Sequence, residues 1–271
     1  MKDMNDKNNF QFKKKFGQNF LSDKNLLASL IKLTPLTKED NVLEIGLGKG
    51  ALTQILSENA KKVVGYEIDI DLKEHLEEKF NGTNVNLVFK DGLKEDIKQI
   101  ENQFDGKNFA VVANIPYYIT TPLIFKFLEE TSKVNFMALM IQKEVAERII
   151  APVGDENYGA LSVICQFHNT CKILKIVNKK MFFPVPKVDS AFIFLSRTKD
   201  FDFEYARLVR TSFNMRRKTL INNLMHGFGL DREFLNNVFA SLGFDLNARA
   251  ENLSPQDFFV LLQQIKTYLP K

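Results

Sequence analysis

Two cysteines and three histidines among 271 residues leave little material for metal or thiol chemistry. Cys165 and Cys171 lack the paired spacing of a zinc site and are too few for a disulfide scaffold, so reduced thiols in a cytoplasmic protein are expected. His75, His168 and His226 are scattered, and His75 sits among glutamates on a predicted helix surface; neither a metal centre nor a nucleophilic triad is expected. Lysines near the start are not followed by an apolar segment, and the nearest apolar run is broken by charge within a few residues. Neither a signal peptide nor a membrane span is therefore expected. Internal repeats and low-complexity segments are absent. Acidic residues are also missing locally. Between 205 and 222 stand Arg207, Arg210, Arg216, Arg217 and Lys218 with no acid at all, and between 171 and 199 seven lysines and arginines face only Asp189.

The chain is long enough for one large domain and a small one, and a hydrophobic fraction of 45% supports a full core. Net charge is only +4, but the two basic stretches suit a polyanionic partner. A third basic segment, Phe10-Gln-Phe-Lys-Lys-Lys-Phe-Gly-Gln-Asn-Phe20, interleaves rings with cations, which suits nucleic acid or a lid over a pocket.

Ser22 is a fair N-cap for a helix carrying Leu26, Leu27, Leu30 and Ile31. From residue 41 the pattern is α/β, with strands predicted at 42–45, 63–66, 85–89, 109–113 and 136–141 and helices at 51–59, 71–80 and 122–130. Four of these strands lead into a glycine or polar residue: Gly46, Glu67, Asp91 and Asn114. Open parallel sheets bind ligands at that end, so these four residues are expected to assemble one site. A helix at 158–167 precedes two β-rich runs, 173–177 and 188–195, joined too closely for a crossover and expected as an antiparallel edge pair. A change of composition near 198–203 divides residues 21–199 from a helical region, 200–271, with residues 1–20 as an arm. Helices are predicted at 204–225, 231–242 and 255–268, the last with Ser254 as N-cap and Pro255 at its first position. On the first of these, helical spacing puts Arg207, Arg210, Arg217 and Lys218 on one outward arc and Val209, Phe213, Leu220 and Leu224 on the buried stripe.

The chain is organised around Asn114-Ile-Pro-Tyr-Tyr118. Pro116 locks its own φ and pushes Ile115 towards an extended conformation, so that the Asn114 side chain and the Ile115 carbonyl can face one spot. Tyr117 adds a flat π surface. The set suits a planar ring bearing an exocyclic amine, in other words a nucleobase, and the reaction it suggests is methyl transfer to that amine.

The glycine loop alone leaves the cofactor open, because Gly46-x-Gly48-x-x-Ala51 with Glu67 downstream also satisfies the dinucleotide fingerprint. Glu44, two residues before Gly46, is a poor neighbour for a pyrophosphate and a tolerable one for an ammonium and a sulfonium. Asn114-Ile-Pro-Tyr-Tyr118 has no role in hydride transfer. Both favour S-adenosylmethionine over NAD.

These residues also carry a resemblance. Phe16-Gly-Gln-Asn-Phe-Leu21, Val42-Leu-Glu-Ile-Gly-Leu-Gly48, Asn114-Ile-Pro-Tyr-Tyr118, Gln142-Lys-Glu144, Pro186-Lys-Val-Asp-Ser190, Arg216-Arg-Lys-Thr-Leu220 and Ala248-Arg-Ala-Glu-Asn-Leu253 together resemble the ribosomal RNA adenine dimethyltransferases. The likeness runs from about Lys13 to the C-terminus. The glycine loop and Asn-Ile-Pro-Tyr are shared with the enzymes that methylate large-subunit RNA and confer macrolide resistance; the last two segments resemble the small-subunit branch. The resemblance implies a Rossmann-like methyltransferase sheet with a small all-helical C-terminal domain, S-adenosylmethionine as cofactor, and dimethylation of N6 on two adjacent adenosines near the 3′ end of 16S rRNA during small-subunit biogenesis. It implies cofactor contacts from Asn19, Leu21, Gly46, Glu67, Asp91 and Asn114. Asn114 and Ile115 would hold the target amine, with Tyr117 stacked on the flipped adenine and Phe182 covering its other face. Departures from the common pattern are Leu47 where Pro is frequent, Lys49 after the second glycine, and Asn214-Met215 before the double arginine. The expected partner is the small ribosomal subunit, with no membrane or metal, and a monomer as the default. Two further readings stand beside this one: a large-subunit (23S) enzyme of the resistance type, and a small-subunit assembly factor whose binding outweighs its catalysis. A small-molecule or DNA amine methyltransferase would leave the basic C-terminal helices without a purpose.

Overall fold

A computed structural model describes residues 20–270. Its strands are, in chain order, β1 (Phe20–Leu21), β2 (Asn41–Ile45), β3 (Lys62–Tyr66), β4 (Val85–Val88), β5 (Phe109–Asn114), β6 (Val134–Gln142), β7 (Asn169–Val177), β8 (Phe182–Phe183) and β9 (Ser190–Arg197). Seven of them form one sheet in the order β4-β3-β2-β5-β6-β9-β7, while β1 and β8 make a separate ribbon. Strands β2 to β6 pair in parallel, and β9 runs antiparallel between β6 and β7. The edge pair is thus antiparallel, as its short connection requires.

The inner parallel strands are largely apolar because both faces of the sheet are covered there, whereas the edge strand β4 exposes Asn86. Leu43, Ile45, Val111 and Ala113 enter one core, and their neighbours Val42, Ala110 and Val112 enter the other. Helix α1 (Lys24–Ile31) and helix α2 (Ala51–Asn59) lie on the second face, their Leu27, Leu30 and Leu56 belonging to that core. Helix α3 (Lys73–Phe80) follows β3, and α5 (Thr120–Glu129) follows β5. Pro122 sits in the first turn of α5, where its missing N–H costs nothing.

Several local expectations need correction. The N-cap of α1 is Asp23 rather than Ser22: its carboxylate accepts the Leu26 amide at 3.0 Å, the capping offset. Strand β7 begins at Asn169 instead of 173. Two further helices, α4 (Ile97–Asn102) and α6 (Lys143–Ile150), were not expected; both are short, and α6 buries Ala146 and Ile149 at helical spacing.

Among the described residues the C-terminal region holds α8 (Phe203–Ser212), α9 (Leu220–Phe228), α10 (Arg232–Leu242) and α11 (Pro255–Ile265). The helix expected at 204–225 is therefore two helices, and Arg217 and Lys218 lie in the turn between them. The break contains neither proline nor glycine. It is made by the Asn223 side chain, which accepts the Met215 amide at 2.9 Å and donates to the Met215 carbonyl at 3.2 Å, and by Thr219, which caps α9. The chain folds back closely: a Cβ on Gly227 would meet the Thr211 methyl at 2.1 Å. The caps expected for the last helix are present, with Ser254 Oγ accepting the Asp257 amide and the Asp257 carboxylate accepting the Ser254 amide.

These helices share a third core with α7 (Ala160–His168), in which Val163, Ile164 and Phe167 meet Tyr205, Leu208, Leu224, Phe239 and Phe258. Buried polar bonds reinforce it. Tyr158 donates to the Leu253 carbonyl at 2.9 Å, Tyr205 to the Pro255 carbonyl at 2.8 Å, and the Asp202 amide to His168 Nε2 at 3.0 Å. No helix among the described residues is long and apolar enough to cross a membrane.

Candidate active site

Strand order reverses between β2 and β5, and in an open sheet this leaves a crevice at the carboxyl ends of those two strands. A cavity of about 420 Å³ opens there. Gly46, Glu67, Asp91 and Asn114, delivered by four strands, all line it, together with Leu21, Ile115 and Tyr117. The site expected from the strand ends is therefore assembled. Asn19 lies outside the described residues, as does most of the basic-aromatic arm.

The glycine loop is tied down from several directions. Gly46 (φ +80°) donates to the Tyr66 carbonyl at 2.8 Å. Gly48 (φ +55°) lies under the Phe20 ring, whose nearest atom would be 2.6 Å from an added Cβ. Both positions need glycine for its left-handed backbone, and Gly48 also for the close approach. One Glu67 carboxylate oxygen accepts the Gly48 amide and the other the Asp69 amide, each at 2.8 Å. Behind the loop, Lys79 Nζ donates to the Lys49 and Gly50 carbonyls, both at 2.9 Å. Phe20 and Lys79 were not foreseen from sequence, since the contacts that matter span distant segments. Lys49, the departure that would set a cation near the cofactor, is exposed at the cavity rim.

Glu44 is 1% exposed, and its Oε2 has no hydrogen-bond partner among the described residues. Burial pushes its carboxyl up to about 8, against the nearby Thr53 hydroxyl and with some help from Glu67. Burial likewise raises Glu67, opposed by the backbone amides it accepts. An orphaned buried carboxyl in the wall, a second carboxylate pinned at the end of β3, and Asp91 at the rim form a donor-seeking surface beside apolar Leu21. That chemistry fits S-adenosylmethionine, which carries an ammonium, a sulfonium, a ribose diol and an adenine amine. A pyrophosphate would meet the Glu67 carboxylate with like charge and would oppose ionisation of Glu44, whereas a cationic ligand favours it.

At the β5 end, Asn114 is partly buried and Ile115 fully so, and Pro116 leads into a single 3₁₀ turn, Tyr117–Ile119. The Tyr117 hydroxyl lies 2.8 Å from Ser190 Oγ. Burial raises the phenol above its ordinary value, against the Ser190 bond. Phe182 requires correction. It is 2% exposed and packs with Leu21, Leu27 and Phe192, and it does not line the cavity. Pairing of β8 with β1 alternates the side chains, so the ring turned outward is its neighbour Phe183.

The basic residues also divide. Arg210 pairs with Glu129 and lies 4.9 Å from the Phe125 ring, and Arg207 donates to the Pro270 carbonyl and covers Phe228. Arg216, Arg217 and Lys218 are exposed together in the α8–α9 turn, with no ion pair among the described residues. Phe201, just before α8, stacks on His168 of α7 and meets Phe203 of α8 edge-on.

Fold and cavity together define a Rossmann-like methyltransferase that uses S-adenosylmethionine. Residues 9–267 match the family model described as ribosomal RNA adenine dimethylase, and the chain belongs to that family. It is 42% identical over 275 residues to ribosomal RNA small subunit methyltransferase A of Bacillus mycoides, covering 96% of this chain and 93% of that protein. The protein of the same name from Bacillus thuringiensis is also 42% identical, over 272 residues. Among solved structures, a dimethyladenosine transferase from Plasmodium falciparum superposes with a TM-score of 0.78 at 29% identity, covering 92% of this chain and 98% of that one. The 23S rRNA methyltransferase ErmE superposes with a TM-score of 0.71 at 26% identity, covering 92% and 100%.

Proposed function

We propose that the protein dimethylates N6 of two adjacent adenosines near the 3′ end of 16S rRNA, in the cytoplasm and during small-subunit biogenesis. The observation that carries this reading is the convergence of Glu67, Asp91, Asn114 and Tyr117 on one cavity at the strand-order reversal. The two segments that resemble the small-subunit branch favour that substrate over large-subunit RNA. One of them is the exposed cationic turn at 216–218; the other, 248–253, buttresses it, the Leu220 amide donating to the Ala248 carbonyl at 2.7 Å.

S-adenosylmethionine supplies a methyl group already activated as an electrophile. The protein's task is to orient a poor nucleophile, because the adenine N6 lone pair is delocalised into the ring. The Asn114 side-chain carbonyl and the Ile115 backbone carbonyl accept the two N6 hydrogens, which favours a pyramidal nitrogen with its lone pair aimed outward. Tyr117 stacks on the flipped base. Glu67 takes the ribose hydroxyls, Asp91 the cofactor's adenine amine, and Gly46 and Leu21 its remaining surface, while Glu44 faces its cationic end. Residues 21–199 carry the chemistry and 200–271 the RNA contacts, with Arg216, Arg217 and Lys218 as the phosphate-facing set.

Labelled methyl transfer to unmodified small subunits, with large-subunit RNA and DNA as controls, tests the assignment. Label recovered as dimethyladenosine from the small subunit alone is expected. Label in large-subunit RNA moves the protein to the resistance branch, and tight subunit binding without label makes it an assembly factor.

A further inference from the structure

The segment Pro186-Lys-Val-Asp-Ser190 closes the loop that joins β8 to β9. Ser190 is fully buried, does not line the cavity, and opens β9, where it pairs with Gln142 of β6 on one side and Val177 of β7 on the other. Its hydroxyl is 2.8 Å from that of Tyr117, which does line the cavity. Asp189 anchors the same corner: its carbonyl accepts the Lys143 amide at 3.0 Å and its carboxylate the Lys179 amide at 2.9 Å. A strand held on both edges is a rigid post, whereas Tyr117 stands on a single 3₁₀ turn after Pro116. A tyrosine held only at its Cα can swing about χ1; held also at its hydroxyl, its long axis is fixed at both ends and the ring keeps one position.

We propose that Ser190 is a positioning residue that fixes where the Tyr117 ring stands against the target adenine, and that this restraint matters most for the second methyl transfer. The proposal rests on the adenine-methyltransferase reading above. In each transfer the N6 lone pair forms a bond to the methyl carbon as the carbon–sulfur bond breaks. Sulfur keeps that electron pair, and one N6 proton leaves to solvent. The first transfer begins with two N6 hydrogens, one for each acceptor at Asn114 and Ile115. The second begins with one hydrogen and a methyl group, so one acceptor is idle and the hydrogen bonds orient the amine less well. Stacking on Tyr117 is unchanged by the first methylation, and the second transfer therefore leans more on the ring and on whatever holds it.

The test is a double-mutant cycle of Ser190→Ala, Tyr117→Phe and the pair, scored by the ratio of monomethyl to dimethyl product, kcat, KM for S-adenosylmethionine, and thermal midpoint. Each single variant is expected to raise the product ratio and lower kcat by roughly 3–10-fold, the size of one net hydrogen bond. The pair should be no worse than either single variant, with KM unmoved. Multiplying effects, an unchanged product ratio, or losses that follow the thermal midpoint overturn the proposal. Should Ser190→Ala fail to fold, Tyr117→Phe at a partly exposed site carries the product-ratio test alone. Wild-type enzyme that makes no methyladenosine overturns the reaction assignment itself; wild-type activity with an additive cycle overturns only the Ser190 role.

Discussion

The Glu67 carboxylate accepts the Gly48 amide at 2.8 Å between the ends of the neighbouring strands β3 and β2, so the end of β3 and the glycine loop move as one unit. The same carboxylate holds the Asp69 amide at 2.8 Å, which leaves its remaining lone pairs for the cavity. Its place in the wall is set by the fold before any ligand arrives.

Glu67→Gln should therefore harm the loop as well as the ligand contact. An amide nitrogen must replace one of two oxygens, and it would present hydrogens to a backbone N–H. Hydrogen bonds to charged groups contribute about 1.5–3 kcal/mol, so affinity for S-adenosylmethionine should fall roughly 10–100-fold. Isothermal titration calorimetry measures this directly. Unchanged affinity would remove Glu67 from the cofactor site.

Glu44 predicts a pH signature. Its carboxyl is raised to about 8 by burial, so it is neutral in the free protein at pH 7. A cationic ligand favours its ionised form, and binding at pH 7 should release a proton, with affinity rising from pH 6.5 to 8.5. Free-protein stability runs the other way. A carboxyl whose folded value lies above its unfolded one binds more protons when folded, so stability is lost as pH rises from about 4.5 to 8. Glu44→Gln should thus raise thermal stability most above pH 8, by on the order of 1–3 kcal/mol, and abolish the proton release. Buffer-dependent calorimetry reads the proton count, and a count of zero for the wild type refutes the linkage.

His168 gives the opposite acid limb. Its Nδ1 bonds the Ile164 carbonyl at 2.8 Å and its Nε2 accepts the Asp202 amide at 3.0 Å, which fixes one neutral tautomer. Burial lowers its pKa, with Arg197 and Lys199 acting in the same direction and Asp202 and the Ile164 carbonyl against it. Protonation would set an N–H against an N–H. The unfolded chain takes up the proton first, so this contribution is complete above about pH 6.5 and is lost as pH falls below it. His168→Gln should flatten that limb, which is worth on the order of 1 kcal/mol in denaturant melts between pH 7 and 5. An equally steep limb in the variant would assign it elsewhere.

The inner parallel strands were legible because burial on both faces makes them short, mostly apolar, β-branched runs, and Asn114 could be placed because it ends such a run just before Pro116. Gly46, Glu67, Asp91 and Asn114 follow from knowing that ligands bind at strand ends, whereas Leu21 came only from the family resemblance. The failures share a cause. The α8–α9 break depends on Asn223 reaching Met215 eight residues back, and the burial of Phe182 depends on β8 pairing with β1, across 161 residues between Leu21 and Phe182. Such tertiary contacts leave no local periodicity. Ser190 and Tyr117 lie 73 residues apart in two separate motifs, and nothing in either motif points to the other.

Asn114→Ala removes one of the two proposed N6 acceptors without touching the α8–α9 turn. Methyl transfer should fall by at least about a hundredfold, since an oriented polar group in a dry site is worth that much, while RNA binding stays within about twofold. Single-turnover transfer and filter binding separate the two quantities. A parallel loss of binding and rate would make Asn114 an RNA-docking residue instead.

The division among the basic residues makes the last prediction, and it differs from what one continuous helix would give. With Arg207, Arg210, Arg217 and Lys218 on one arc, all four substitutions would weaken RNA binding alike. In the structure Arg210 is committed to Glu129 and the Phe125 ring, so Arg210→Ala should lower stability by about 0.5–1 kcal/mol and leave the salt dependence of RNA binding nearly unchanged. Arg217→Ala with Lys218→Ala removes two exposed cations that make no ion pair among the described residues. Each lost phosphate contact lowers the slope of log K against log salt by about 0.7–0.9, so the pair should flatten it by roughly 1.5–2 while the melting curve stays in place. Binding isotherms from 50 to 200 mM salt decide the matter. A flattened slope for Arg210→Ala would restore the single cationic arc, and an unmoved slope for the double variant would take the turn out of the RNA interface.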